Sequence, residues 1–171
     1  MTHAELVERA ARWLAGTRQC ALVVKERSAW CLNEAPDAMG WQPRGHSILV
    51  ECKTSVADFY ADRRKPSRRE PALGLGRERW YFTEPGLLHG RELPAGWGLI
   101  ELVNERVRRV VPSALFDDPK IANHEIALLV AVTRRSLGGS YKGAMVNDAS
   151  EISDVASSGF AEGEINEMAG T

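Results

Sequence analysis

The sequence predicts a mixed α/β domain, a central sheet flanked by helices. An amphipathic stripe opens the chain, six short β-branched or aromatic runs follow with turn residues and one short helix between them, and a last helical pattern covers residues 123–135. A length of 171 residues with 44% hydrophobic side chains suffices for one buried core.

Residues 4–15 place apolar side chains at Leu6, Val7, Ala10, Trp13 and Leu14, the inner stripe of a helix that Gly16 stops. Cys20–Lys25 reads as a strand. Residues 35–41 and 47–53 read as two more, joined by Gln42-Pro43-Arg44-Gly45-His46 in a hairpin. Residues 57–65 form a short helix closed by Pro66, with Ser55 as its N-cap and Asp58 completing a capping box. Arg79–Thr83 is an aromatic strand ended by Glu84-Pro85-Gly86. In it Trp80, Tyr81 and Phe82 alternate, so at least one is core and another is available to stack on a base, with core the expectation for any single one. Residues 97–103 and 107–111 form two last strands turning at Asn104-Glu105-Arg106. Asn123 caps a final helix running to about Arg135, with Ile126, Leu129, Val130 and Thr133 on its inner face.

The net charge of −1 hides an asymmetry. Asp148, Glu151, Asp154, Glu162, Glu164 and Glu167 lie beyond the last basic residue, Lys142. Residues 1–143 hold 22 Lys and Arg against 17 Asp and Glu. The chain therefore divides into a domain over residues 1–136 and an acidic tail over 137–171, whose Gly, Ser and acid content predicts disorder. Seven basic residues between Asp62 and Arg79 point to an anionic partner. No apolar run of membrane-spanning length occurs, so no membrane partner is expected. A polar start, no secretory signal and three cysteines without CxxC spacing (Cys20, Cys31, Cys52) predict a cytoplasmic protein with reduced thiols. His3, His46, His89 and His124 lack ligand spacing, and Gly74 and Gly76 make no dinucleotide fingerprint.

Pro36-Asp37 is followed by Glu51-Cys52-Lys53 on the next strand. Strand alternation puts Ser47, Leu49, Glu51 and Lys53 on one face and Ile48, Val50 and Cys52 on the other. With the turn centred on Arg44, Asp37 lies directly across from Glu51. Carboxylates opposed at roughly 4.5–5.5 Å between Cβ atoms repel unless a cation lies between them, and oxygen donors suit a hard divalent ion. Lys53 on the same face supplies positive charge for a phosphate or holds a water. Paired carboxylates, magnesium or manganese and a lysine form a kit for phosphodiester hydrolysis, with Asp37, Glu51 and the Cys52 backbone carbonyl as the predicted metal donors. An ordinary cross-strand ion cluster is the competing reading.

These residues resemble the PD-(D/E)XK nuclease superfamily: Pro36-Asp37 matches the first half of its motif and Glu51-Cys52-Lys53 the second. The longer strings Pro-Asp-Ala-Met-Gly-Trp, Val-Glu-Cys-Lys-Thr-Ser-Val-Ala-Asp-Phe and Asp-Arg-Arg-Lys-Pro resemble its small standalone bacterial and phage members of the MmcB-like, DNA-repair type. The resemblance covers residues 4–135 and implies a restriction-endonuclease-like core with the antiparallel catalytic hairpin in a mixed sheet. It implies a magnesium-dependent nuclease acting on DNA, or on RNA, in repair, recombination or phage DNA processing. A weak or inactive nucleic-acid-binding module on the same fold is the alternative. The superfamily often adds a first-helix glutamate to the site, here Glu8 in preference to Glu5; Glu34 is a third nearby acid. Arg63, Arg64, Lys65, Arg68 and Arg69 are expected on backbone phosphates, which gives affinity without sequence choice. The oligomeric state stays open, a homodimer included.

Overall fold

The computed structural model describes residues 1–27 and 34–136. Helix α1, His3–Ala15, opens with a capping box: the Thr2 hydroxyl accepts the Glu5 amide at 3.3 Å and the Glu5 carboxylate accepts the Thr2 amide at 2.8 Å. Its buried stripe is the expected one, Leu6, Val7, Ala10, Trp13 and Leu14.

Strands β1 (Leu22–Lys25), β2 (Ala38–Trp41), β3 (Ser47–Lys53), β4 (Glu78–Thr83), β5 (Gly98–Val103) and β6 (Arg106–Val111) form one sheet in chain order. β1, β2 and β3 run antiparallel, β3 to β5 run parallel, and β6 returns antiparallel to β5. Each parallel joint needs a crossover. The first, residues 54–77, carries α2 (Val56–Asp62), α3 (Pro66–Arg69) and a 3-10 turn at Pro71–Leu73. The β5–β6 hairpin turns on Asn104 and Glu105, both at positive φ (46° and 63°), as a two-residue turn requires.

Helix α1 covers one face, where its stripe meets Ala38, Ile48, Val50, Cys52, Trp80, Phe82, Ile100 and Leu102. The other face is covered by α2, through Phe59 packed on Leu49, Tyr81 and Leu99, and by α4 (Pro119–Ser136), through Leu128 packed on Met39 and Trp41. β3 is therefore buried along its whole length, although its side chains alternate as expected. Gly40 lets the chain after α1 lie against β2, because a Cβ there would stand 2.6 Å from Cys20 Sγ.

Several boundaries differ from the sequence reading. β2 begins at Ala38, and Asp37 sits just outside it with its carbonyl accepting the Glu26 amide at 3.1 Å. Pro66 opens α3 at a position where its missing N–H costs nothing. α4 starts at Pro119, with Asp118 accepting the Lys120 amide at 2.8 Å, so Asn123 is not a cap. Its buried face is Ile121, Glu125 and Leu128, while Ile126 and Val130 stand 58% and 53% exposed, the reverse of expectation. The rotation follows from Glu125, which turns inward and accepts Trp41 Nε1 (3.1 Å), Ser47 Oγ (2.6 Å) and the Gly76 amide (3.1 Å). Trp80, Tyr81 and Phe82 are all buried, so none is free to stack on a base. The acidic tail, residues 137–171, lies outside the described residues.

Candidate active site

Ala38↔Val50 and Met39↔Leu49 pair across the hairpin, and that register continued by one step sets Asp37 opposite Glu51. The Asp37 side chain folds onto the partner strand, where Oδ2 accepts the Cys52 amide at 2.7 Å. Glu51 and Lys53 share a face of β3 and meet at 3.2 Å. Lys53 Nζ also lies 3.9 Å from Asp37 Oδ2 and 3.9 Å from Asp58 Oδ2. The Ser55 hydroxyl caps α2 by accepting the Asp58 amide at 3.1 Å, and the Asp58 carboxylate leans toward Lys53.

Two further buried groups complete the cluster. Asp62, at the end of α2, receives Arg68 Nε at 2.8 Å and Arg68 NH2 at 3.0 Å, accepts the Tyr81 hydroxyl at 2.7 Å and lies 3.8 Å from Lys53 Nζ. Arg68 reaches Glu34 with NH1 and comes within 3.0 Å of Glu51 Oε1 with NH2. Its guanidinium lies 4.5 Å over the Trp97 ring, which stacks on Tyr81. Each edge of that fork is thus occupied.

The charges do not balance. Glu34, Asp37, Glu51 and Asp62 face Lys53 and Arg68, with the half-exposed Lys65 reaching Asp62 at 2.7 Å from outside. Burial, reinforced by Asp62 and Asp37 against the pull of Arg68 and Lys53, pushes the Glu51 carboxyl up to about 7. Asp62 also suffers from burial, yet its hydrogen bonds from Arg68 hold it well below the carboxylate range. Burial works against the Lys53 ammonium, but Glu51, Asp62, Asp37 and Asp58 together raise it, so Lys53 stays charged. Glu51 Oε1 and Glu34 Oε2 are buried acceptors without a hydrogen bond.

The donor set has the chemistry of a hard-cation site, oxygen atoms only and an excess of negative charge, although Glu51 Oε1 already lies 3.0 Å from the Arg68 guanidinium. Among the described residues no group of three or more His, Cys, Asp or Glu side chains is arranged to hold a metal. Any cation taken up here would have to be held by Asp37 and Glu51, with the Cys52 carbonyl as the expected backbone donor.

Asp37, Glu51 and Lys53 are brought together. Glu8 is not brought to them: it is exposed and pairs with Lys25 on β1. Glu5 is spent on the cap. α1 instead contributes His3, whose Nε2 lies 3.3 Å from Asp37 Oδ1. Arg68, expected on phosphates, is 4% exposed and serves the acids, and Lys65 pairs with Asp62. Arg63, Arg64 and Arg69 remain exposed. Glu34, a lesser candidate, is buried in the cluster. Tyr81, expected in the core or on a base, also gives its hydroxyl to the site through Asp62. The sequence reading does not single out Asp62, although Asp58 and Asp62 at helical spacing mark one face of α2.

No helix among the described residues is long and apolar enough to cross a membrane. The fold defines an α/β protein with a six-stranded mixed sheet flanked by helices. No protein-family model matches the chain, and no curated protein does. A solved structure shares the fold: the SPO1766 protein of unknown function from Silicibacter pomeroyi, 22% identical, with a TM-score of 0.58 over 80% of this chain and 90% of that one.

Proposed function

We propose that this chain is a metal-dependent nuclease on a restriction-endonuclease-like core, hydrolysing phosphodiester bonds of DNA in repair, recombination or phage DNA processing. The observation that carries the reading is the meeting of Asp37, Glu51 and a buried Lys53 at the end of an antiparallel hairpin. Bound magnesium or manganese would lower the pKa of an attacking water and offset charge at the phosphorus. Asp37, pinned by the Cys52 amide, and Glu51 would hold that ion once Arg68, now 3.0 Å from Glu51 Oε1, gives way to it. Lys53 keeps its proton and so stabilises phosphate oxygens as charge builds on them; it is no general base.

A nucleic-acid-binding module with little turnover is the second reading. It is favoured by Arg68 already lying against Glu51 as a counter-ion. Incubation of purified protein with single-stranded, duplex and branched DNA in magnesium, manganese or EDTA separates the two. The nuclease cleaves with metal and stops in EDTA, and Lys53→Ala lowers cleavage on the order of 10²–10³-fold while DNA affinity holds. Cleavage by Lys53→Ala at the parent rate overturns the assignment. Tight binding without cleavage in any metal establishes the module.

A further inference from the structure

On the α2–α3 side an open groove of about 400 Å³ is lined by Tyr60, Arg63, Arg64, Arg68, Arg69 and Pro94. Tyr60 is 39% exposed, an aromatic ring left at the surface between Arg63 and the Glu92 carboxylate that accepts its hydroxyl at 2.9 Å. Phe59 underlies it, with ring centroids 5.4 Å apart, so the ring rests on the core. Arg63, Arg64 and Arg69 are exposed, and none enters an ion pair among the described residues. Arg68 forms the inner wall, and the same guanidinium lies 3.0 Å from Glu51 Oε1. The groove therefore ends one side chain away from the carboxylates.

An aromatic face rimmed by unpaired arginines is the equipment with which proteins hold single strands: bases stack on the ring and the cations follow the phosphates. In a duplex the base faces are already stacked, and a ring set within a groove cannot reach them. We infer that this groove binds a single-stranded segment of nucleic acid, with a base on Tyr60 and adjacent phosphates on Arg63, Arg64 and Arg69, and leads that strand past Glu51. The inference rests on the nuclease reading for what happens to the strand, and on the groove alone for its binding.

Fluorescence anisotropy in EDTA, where nothing is cut, tests it with a labelled oligonucleotide of about 12 nucleotides, single-stranded and as its duplex. The parent should bind the single strand at least about tenfold more tightly than the duplex at equal salt. Tyr60→Ala should weaken the single strand by about tenfold and leave the duplex unchanged. Arg63→Ala with Arg69→Ala should lower the salt slope by about 1.4, as expected for two phosphates on a single strand. These residues are exposed, so thermal melts of the variants should match the parent. Equal affinity for both forms, or a Tyr60→Ala variant that binds like the parent, overturns the inference. Cleavage in magnesium is scored separately: binding through Tyr60 without cleavage overturns only the nuclease reading, and cleavage with Tyr60 irrelevant overturns only this groove.

Discussion

Two buried glutamates meet the same face of β3 at its opposite ends. At the start of the strand, Glu125 takes hydrogen bonds from the Ser47 hydroxyl, the Trp41 indole and the Gly76 amide, all neutral donors whose protons have nowhere else to go. At its close, Glu51 sits among three other acids, is shared between Lys53 and Arg68, and keeps one oxygen without a hydrogen bond. The first arrangement spends its charge on holding α4 to the sheet. The second holds charge in reserve. A buried carboxylate that is satisfied is a structural pin, whereas one that is crowded and incompletely satisfied marks where chemistry is to be sought.

The largest effect on stability should come from breaking the pin. Glu125→Ala strands three buried donors at once and should cost about 3–5 kcal/mol, read from urea unfolding midpoints. A loss below about 1 kcal/mol would mean that water replaces the carboxylate and that the contrast fails.

Next is the pH response of the crowded end. Glu51 carries a carboxyl raised from 4.5 to about 7, so between those values the folded chain keeps a proton that the unfolded chain has released. Stability from this group is therefore greatest below about pH 4.5, falls as pH rises to about 7 and is level beyond it, by at most about 3 kcal/mol in all. Asp62 acts in the opposite sense at lower pH, since its lowered carboxyl gives stability that is lost only in strong acid. Glu51→Gln should flatten the fall when unfolding is followed in EDTA near pH 5 and pH 8. A slope that survives the substitution places the titration elsewhere.

The smallest effect is expected at Glu8. Its ion pair with Lys25 is exposed at both ends and screened by solvent. Glu8→Ala should leave both the melting temperature and DNA cleavage unchanged; reduced cleavage would restore α1's glutamate to the site.

The hairpin and its register were legible because turn residues and strict alternation leave few ways to pair two such strands. Asp37, Glu51 and Lys53 followed from that register. The inner face of α4 was misread because Glu125 turns inward, and apolar periodicity gives no weight to a buried acid with three donors waiting. Arg68 was misread for the converse reason: in a run of five basic residues over 63–69, nothing in the spacing reveals which one bends back into the core. That is decided by Pro66, which starts a second short helix, and by Arg79, which binds the carbonyls of Gly76, Ser67 and Pro71 and so fixes the path of the chain around Arg68. Tyr81 was hidden among three aromatics that are all buried because both faces of β4 are covered.

The mixed order of the sheet also sets a sequence in time. β2 and β3 close through residues 42–46, a local encounter that brings Asp37 and Glu51 face to face early. Asp62 and Arg68 travel on the crossover 54–77, which is anchored at its far end only when β4 pairs in parallel with β3. The loop-closure entropy of that pairing must be met before the guanidinium can dock. Asp37, Glu51 and Lys53 thus meet through a local hairpin, whereas Asp62 and Arg68 join them only through the long crossover, so the charge complement of the pocket is completed by the non-local pairing.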